Sequence, residues 1–197
     1  LVAEQALKEN RVKALVATSA LGMGFDKPDL GFVVHLGAPS SAVSYYQQIG
    51  RAGRGAVNAD VLLLPGREDR AIWEYFATAS MPNEEQALAV LDTLAQSPEG
   101  LSITALEARV QLRRSTLELL LKVLDVEGAA VKEGNYWRRT SSPWQYDSAR
   151  YAAVAQARVL EQNAMLEYER TSQCRMLFLA QQLDDASATA CGRCDVC

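Results

Sequence analysis

Gln47-Gln48-Ile49-Gly50-Arg51-Ala52-Gly53-Arg54 is a stretch that places two arginines three residues apart, with glycines beside them. Arginine stays charged at physiological pH, and its planar fork of N–H donors matches the oxygens of a phosphate group. Glycines let the backbone bring such forks close to a bulky anion. An arginine beside a transferring phosphoryl group stabilises the charge of its transition state. Taken alone, the same run also fits a solvated turn with two surface arginines.

Apolar runs on either side of this stretch predict a parallel β-sheet. Residues 12–18, 32–36 and 59–64 are short, rich in Val and Leu, and followed by Ser, Gly or Pro, which is typical of buried strands. Strands this apolar need cover on both faces, so we expect flanking helices, one of them capped by Ser40-Ser41. Ligand sites in such sheets lie at the carboxyl ends of the strands. The loop of residues 18–26 and the two arginines could therefore converge there.

Two motifs in this region resemble those of the RecQ family of superfamily-two helicases. Motif V is matched by Ala17-Thr18 and Gly24-Phe25-Asp26-Lys27-Pro28, and motif VI by Ser44-Tyr45-Tyr46-Gln47 and Gly50-Arg51-Ala52-Gly53-Arg54. Two long motifs at the expected separation form a specific signal. The resemblance implies that residues 1–80 are part of the second RecA-like lobe of an ATP-dependent DNA helicase that moves 3′ to 5′.

The resemblance also implies roles at the nucleotide. Arg54 would be the arginine finger that reaches the γ-phosphate of ATP held on the other lobe. Arg51 would contact phosphate or hold the lobe interface, and Gln47 would help to couple the nucleotide to motion. Gly24 and Asp26 would lie near the ribose, although Asp26 also fits a simple turn ahead of a proline.

DNA contacts are implied for the same loop. Thr18 and Ser19 would hydrogen-bond phosphates of the DNA backbone, a contact that positions the strand and carries no sequence information. His35 is the single histidine of the chain and ends an apolar run. We expect it to have a structural role with its hydrogen bonds satisfied, rather than a catalytic one.

All four cysteines lie near the C-terminal end, at Cys174, Cys191, Cys194 and Cys197. Four clustered thiols in a chain expected to be intracellular indicate a metal more than disulfides. A tetrahedral zinc takes four such ligands, and the two-residue gaps bring three of them onto one small knuckle. A disulfide pair and an iron–sulfur cluster are the alternatives. This pattern also resembles the RecQ family, which implies a structural Zn²⁺ within a helical subdomain of residues 147–197.

Residues 81–146 separate the two resemblances, whereas in the usual RecQ order the zinc subdomain follows the motor directly. Three short helical patterns and a hairpin with a Gly134-Asn135 turn predict a winged helix. Arg113 and Arg114 at the start of its third helix, and Arg138 on its wing, would contact DNA. The segment holds seven basic and nine acidic residues, a net charge of −2, so a spacer or a protein docking surface is the alternative.

Composition bounds the remaining possibilities. The chain has 197 residues, of which 49% are hydrophobic, so it can bury a core in each of two or three small domains. A net charge of −4 favours local contacts with nucleic acid over general affinity. No stretch is apolar enough to span a membrane, and we expect a cytoplasmic, nucleoid-associated protein.

Together these patterns predict an α/β fold: part of a RecA-like parallel-sheet lobe, followed by mostly helical winged-helix-like and zinc-binding regions. No Gly-x-x-x-x-Gly-Lys-Ser/Thr phosphate loop occurs in the sequence, so ATP and Mg²⁺ would be held by a first RecA-like lobe elsewhere in the same protein. Two other function classes stay open. One is a non-enzymatic DNA-binding regulator built from a winged helix and a zinc knuckle, and the other is a superfamily-two helicase that acts on RNA.

Overall fold

The structure, a computed structural model, describes residues 2–18, 25–55, 58–79 and 81–197. Helices and strands alternate at first, and helices predominate later, which confirms the predicted α/β class. The strands are β1 (Phe32–Leu36), β2 (Asp60–Leu64), β3 (Leu101–Ser102), β4 (Ala130–Glu133) and β5 (Tyr136–Arg139). The helices are α1 (Val2–Lys8), α2 (Ala42–Ile49), α3 (Asp69–Ala79), α4 (Glu84–Ala95), α5 (Ile103–Val110), α6 (Arg114–Val126), α7 (Ser148–Arg170) and α8 (Arg175–Gln181).

Strands β1 and β2 form a parallel pair, in a register that runs from Phe32 opposite Asp60 to Leu36 opposite Leu64. A parallel pair needs a crossover connection, and α2 lies in that connection. Ser41 starts α2 because its side chain accepts a hydrogen bond from the backbone N–H of Ser44 at 3.1 Å. This cap satisfies one of the N–H groups that a helix start leaves without a partner.

A buried carboxylate ties together the ends of the two parallel strands. Asp69 is 8% exposed and accepts hydrogen bonds from the backbone N–H groups of Ala38 at 2.6 Å and Gly66 at 2.8 Å. The indole N–H of Trp73 donates to the Ala38 carbonyl at 2.9 Å. Both connections that leave the sheet are therefore held by the first turn of α3. Sequence reasoning missed this role because Asp69 reads as an ordinary residue at a helix start.

The sheet differs from the sequence prediction in its cover. Val33 and Leu63 on one face pack against buried side chains. Among the described residues, the opposite face is uncovered, and its large apolar side chains are 46% to 80% exposed: Phe32, Val34, Leu36, Leu62 and Leu64. The expectation of buried strands with helices on both faces is therefore wrong for the part of the chain that the structure describes. Alternation along a strand places successive side chains on opposite faces, and only one face meets helices here.

The strand expected at residues 12–18 is also absent. These residues are irregular, and Val16 is 93% exposed. The composition of the run favours a strand, but a strand needs a neighbour to pair its backbone N–H and C=O groups. In the described ranges, β1 and β2 pair with each other and neither pairs with this run. Apolar composition alone therefore did not decide its conformation.

The chain divides into two compact units, residues 1–73 with 157–197 and residues 74–156. The first unit has its core between the inner face of the sheet and α2, α3, α7 and α8. The most buried members of this core are Ala42, Tyr45, Trp73, Met165 and Leu179. Sequence reasoning predicted three parts. The first and last of them share one core, because the apolar faces of α7 and α8 cover α2.

The second unit is built from α4, α5 and α6 and a three-stranded antiparallel sheet with the order β3-β5-β4. Asn83 caps α4 and Ser102 caps α5, each through a side-chain oxygen that accepts a backbone N–H. Its core consists mainly of leucines from the three helices, together with Trp137 from β5. This unit thus contains three helices followed by the hairpin β4-β5, and its assignment as a winged helix stays a prediction.

Helix α7 is the longest described helix, with 23 residues. Neither it nor any other helix in the described ranges combines the length and the apolar character that a membrane span requires.

Replacing Asp69 with alanine should destabilise the first unit. Two buried N–H donors lose their acceptor, and each unsatisfied buried group costs about 1–3 kcal/mol. We therefore expect the free energy of unfolding to fall by about 2–4 kcal/mol, measured by urea denaturation. Asp60→Ala is the matched control, since Asp60 is exposed and begins β2 without a side-chain hydrogen bond in the described residues. Equal stability of Asp69→Ala and the wild type would contradict this role.

Candidate phosphate and metal sites

The two arginines that follow α2 both contact the segment Phe25-Asp26. Arg51 donates from Nη1 to the Phe25 carbonyl at 2.7 Å. Arg54 donates from Nη1 to Asp26 Oδ1 at 3.1 Å and from Nε to the Gly50 carbonyl at 3.1 Å. The two sequence motifs, separated by more than twenty residues, therefore meet in space. The meeting places two guanidinium groups beside one acidic side chain.

The two arginines differ in how firmly they are held. Arg51 is half-buried, and its buried Nε has no hydrogen-bond partner within the described part of the chain. Arg54 and Asp26 are 54% and 62% exposed. Exposed ion pairs contribute only about 0–1 kcal/mol, so an anion with more charge than a carboxylate can take the Arg54 guanidinium at little cost. Arg51 is thus a fixed donor and Arg54 an exchangeable one.

Two glycines bring this turn close to the segment before β1. Gly53 has φ +74° and donates from its N–H to the Leu30 carbonyl at 3.0 Å. Gly55 donates to the Pro28 carbonyl at 2.7 Å, and a Cβ on Gly55 would lie 3.0 Å from Pro28 Cβ. Glycine tolerates a positive φ and leaves room for close backbone contact. Gly53, which lies in the quoted stretch, and Gly55, which follows it, thus hold the arginine turn against residues 28–30.

Lys27 is a buried cation beside this site that sequence reasoning did not single out. It is 6% exposed, and its Nζ donates to Asn10 Oδ1 at 2.8 Å and to Asp29 Oδ1 at 2.6 Å. The hydrogen bond from Lys27 holds the pKa of Asp29 below its ordinary value. A buried ammonium needs such partners. Lys27 therefore anchors the residues after Asp26 to the end of α1, and its place in the motif V resemblance was the available signal.

The remaining residues of the predicted nucleotide and strand contacts are less constrained. Gln47 is exposed on α2, and Thr18 is exposed in an irregular segment. Ser19 and Gly24 lie outside the described residues. Gln47 precedes the arginine turn by one helical turn, so it shares the exposed side of α2 that leads to Arg51. Roles for these residues stay predictions.

One of the two ring nitrogens of His35 has the hydrogen bond that the expected structural role predicts. Nε2 lies 2.7 Å from Gln48 Oε1, and the ring meets Tyr45 edge-on at a centroid distance of 5.0 Å. Nδ1 is buried without a hydrogen-bond partner in the described residues. The ring therefore serves to join β1 to α2, and it does not face the arginines through any described contact.

The arginines predicted to touch DNA in the second unit are dispersed and partly neutralised. Arg113 is exposed immediately before α6. Arg114 pairs with Glu118 at 3.2 Å on α6, and Arg138 pairs with Glu133 at 3.2 Å across the hairpin. These pairs are exposed, so they can open at low cost. They also reduce the positive field that this face would present to a phosphate backbone.

The four cysteines form one cluster. Their sulfur atoms all lie within 4.8 Å of one another, and none of them is in a disulfide. The Sγ atoms of Cys174 and Cys194 are 3.9 Å apart, close to the roughly 3.8 Å edge of a tetrahedron with metal–sulfur distances of about 2.3 Å. Four thiols at this spacing fit a metal ion that takes four sulfur ligands, and the donor set leaves no position open for water.

Backbone N–H groups donate hydrogen bonds to sulfur atoms of this cluster. The N–H of Cys191 donates to Cys174 Sγ at 3.2 Å, and this bond is the main reason that the pKa of Cys174 is lowered to about 6. Cys197 acts as a thiol donor to Cys174 and Cys194, which raises its pKa to about 11. A thiolate is the form that binds metal, so the hydrogen bond to Cys174 favours the form of this side chain that binds a cation.

An arginine next to the first cysteine completes the surroundings of the cluster. Arg175 donates from Nε and Nη2 to the Asp195 carboxylate at 3.1 Å each, and from Nη1 to the Tyr168 carbonyl at 2.5 Å. Its backbone N–H donates to Cys194 Sγ at 3.4 Å. Sequence reasoning missed this pair, although both charged residues stand directly after a ligand cysteine, which was the available signal.

Comparisons with known proteins agree with this geometry. Residues 2–56 match the family described as helicase conserved C-terminal domain. The ATP-dependent DNA helicase RecQ of Synechocystis is 28% identical over 98% of this chain and 40% of its own length. The enzyme of the same name from Bacillus subtilis is 38% identical over 39% of this chain and 13% of its own length.

The name of a third relative refers to a different nucleic acid. A protein of Acanthamoeba polyphaga mimivirus, named provisionally as an ATP-dependent RNA helicase, is 34% identical over 60% of this chain and 20% of its own length. The chain thus spans two fifths or less of each of these relatives. The comparison with the Synechocystis protein covers nearly the whole chain, whereas the other two cover 39% and 60% of it.

Replacing one cluster cysteine should release the metal. We expect one metal ion per chain in the purified wild type, measured by elemental mass spectrometry. Cys194→Ser removes a direct ligand, so it should weaken the metal affinity by more than the roughly 10- to 100-fold loss that an outer hydrogen-bond partner causes. Thr189→Ser, in the exposed loop before Cys191, should keep the full metal content. A metal-free wild type would refute the four-sulfur site.

Proposed function

We propose that this chain is a C-terminal portion of a RecQ-family helicase and that it supplies one half of the nucleotide site of an ATP-dependent DNA helicase that moves 3′ to 5′. The observation that carries the proposal is the convergence of Arg51 and Arg54 on Phe25-Asp26. Charge on a transferring phosphoryl group spreads over three oxygens, and cationic donors placed beforehand stabilise it without reorganisation.

The two arginines divide the work in this proposal. Arg54 is the finger that exchanges Asp26 for the γ-phosphate when a nucleotide-loaded lobe closes on it. Arg51, held by the Phe25 carbonyl, stays in place and supports the turn. Gln47 on the exposed side of α2 senses the nucleotide, and Gly24 with Asp26 adjoins the ribose. The residues that hold ATP and Mg²⁺ belong to a first lobe, since the sequence contains no phosphate loop.

Strand contact is proposed for both units of the chain. Thr18 and Ser19 would donate to DNA backbone phosphates beside the nucleotide site. Arg113, Arg114 and Arg138 would meet phosphates from the winged-helix-like unit once their exposed ion pairs open. A spacer or protein docking role for that unit is the second candidate, and the pairing of Arg114 and Arg138 with glutamates favours it.

The four cysteines would hold a structural Zn²⁺. Zinc takes four thiolates in a tetrahedron, and a site of this kind contributes on the order of 10 kcal/mol or more to the folding of its region. Helices α7 and α8 complete the core of the first unit, so the metal would stabilise the unit that carries the arginines. When bound, the ion supplies a fixed cross-link between α8 and the last residues of the chain.

DNA rather than RNA is the proposed substrate because the cysteine cluster accompanies the motor motifs. The mimivirus relative is an RNA helicase by its provisional name, so similarity to helicases alone does not separate the two classes. The RecQ relative from Synechocystis, a DNA helicase by name, is similar over 98% of the chain. A non-enzymatic DNA-binding regulator would use the second unit and the metal centre, but it would leave the joined arginine motifs without a purpose.

Replacing Arg54 in the intact protein tests the motor proposal. Arg54→Ala should lower DNA-stimulated ATP hydrolysis by about 10³-fold or more, as removal of an arginine finger does, and it should leave the thermal unfolding midpoint unchanged because the side chain is exposed. Arg67→Ala, an exposed arginine ahead of α3, should retain full activity. Unchanged hydrolysis by Arg54→Ala would remove this residue from the site and favour the binding-protein alternative.

The 197-residue chain by itself should not hydrolyse ATP. It offers arginines for one side of the nucleotide but no phosphate loop for the other. We expect no turnover above background in a phosphate-release assay with single-stranded DNA, and restoration of activity when the chain is part of the full-length protein. Turnover by the isolated chain at rates typical of helicases would contradict the proposed division of the site.

A further inference from the structure

A continuous series of contacts leads from the cysteine cluster to the ring of Tyr168. Two sets of hydrogen bonds hold Arg175 beside the cluster. Its backbone N–H donates to Cys194 Sγ, and its guanidinium donates twice to the Asp195 carboxylate. Its guanidinium carbon lies 5.4 Å from the centroid of the Tyr168 ring. Tyr168 is 6% exposed. The orientation of this buried ring is thus set by residues next to the metal ligands.

The series continues from Tyr168 into the middle of α2. The rings of Tyr168 and Tyr45 are 5.2 Å apart, and Tyr45 is 1% exposed. Burial and the nearby Tyr168 hydroxyl raise the pKa of Tyr45 above its ordinary value. Two buried rings in contact leave few voids to absorb a displacement of either ring. A displacement of the Tyr168 ring therefore displaces Tyr45 as well.

We propose that Tyr45 and Tyr168 are positioning residues that couple metal binding at the four-cysteine cluster to the placement of α2, and hence of Arg51 and Arg54. Tyr45 lies one turn before Ile49, the last residue of α2, and the arginine turn starts there. Close-packed cores transmit displacements because they have few voids to absorb them. The consequence for the arginines rests on the proposed function, whereas the coupling itself rests on these contacts.

Coupling of this kind is reciprocal. If metal binding favours one arrangement of α2, then a variant that disfavours this arrangement must weaken metal binding. A side chain that merely fills space in the core does not predict an effect on metal affinity beyond its effect on stability. Metal affinity of variants in α2 is therefore the discriminating measurement.

The first experiment changes a residue of α2 and measures the metal affinity of the four-cysteine cluster. Tyr45→Phe keeps the ring and removes the hydroxyl. Metal-free protein is titrated with Co²⁺, whose thiolate coordination is read by absorption. We expect the affinity to fall about fivefold, the lower end of typical coupling energies, because the lost hydroxyl lies beside Tyr168. Tyr46→Phe, on the same helix, should leave it unchanged.

Trp73→Phe separates coupling from general loosening. Trp73 is buried in the same core, but its indole donates to the Ala38 carbonyl, and its ring forms no aromatic pair with either tyrosine in the described residues. It should lower the unfolding midpoint and leave Co²⁺ affinity unchanged. An unchanged affinity in Tyr45→Phe, or an equal loss in Trp73→Phe, overturns the proposal.

The second experiment changes a residue beside the cluster and measures the hydrogen exchange of α2. In zinc-loaded Arg175→Gln, hydrogen exchange of residues 42–49 should accelerate about tenfold because the anchor of Tyr168 is lost. Arg193→Gln is the control in the same knuckle, since Arg193 is exposed and forms no ion pair in the described residues. Unchanged exchange in a variant that keeps its zinc overturns the coupling. If Arg175→Gln does not retain zinc, the Co²⁺ titration of Tyr45→Phe decides.

Neither readout requires ATP hydrolysis. A negative result therefore rejects the coupling and leaves the assignment of Arg54 intact. Loss of the Arg54 assignment in the ATPase test would in turn leave the metal-to-helix coupling standing as a structural property of the first unit.

Discussion

Helix α2 has to bury one face against the sheet and another against α7 and α8 at the same time, and the first unit depends on that constraint. A helix of eight residues is too short to be stable by itself, so its position comes from Tyr45 and Ile49, which are almost fully buried. The arginine turn begins where this packed helix ends. Apolar contacts, rather than the charges of the arginines, therefore decide where the guanidinium groups lie.

The polar contacts around this helix fall into fixed and exchangeable ones. Asp69 and Lys27 are buried and have two partners each, so breaking them leaves unsatisfied groups away from water. Arg54 and Asp26 are more than half exposed and can separate at small cost. A site that holds its frame rigidly while leaving one guanidinium free to change partners is suited to a ligand that arrives with another lobe.

The first unit is built from two portions of the chain that are distant in sequence. Residues 74–156 form a unit with their own core, and they stand in sequence between the two portions of the other unit. The cysteine cluster, remote from the arginines in sequence, is linked to the core around α2 through Tyr168 and Phe178. The unusual distance between the motor motifs and the cysteines is thus an insertion between parts that share one core.

The sequence by itself determined the local features: the strand at 32–36, the strand predicted at 59–64 and found at 60–64, the three helices of the second unit, and the four-cysteine cluster. These follow from apolar periodicity, capping residues and ligand spacing, which act over a few residues. Only the tertiary structure decided that residues 12–18 form no strand, that one sheet face is uncovered in the described ranges, and that Arg54 pairs with Asp26. It also brought Tyr45 to Tyr168 and buried Lys27. Each of these depends on which distant segment supplies a hydrogen-bond partner or an apolar neighbour, and that information is not present in any local pattern.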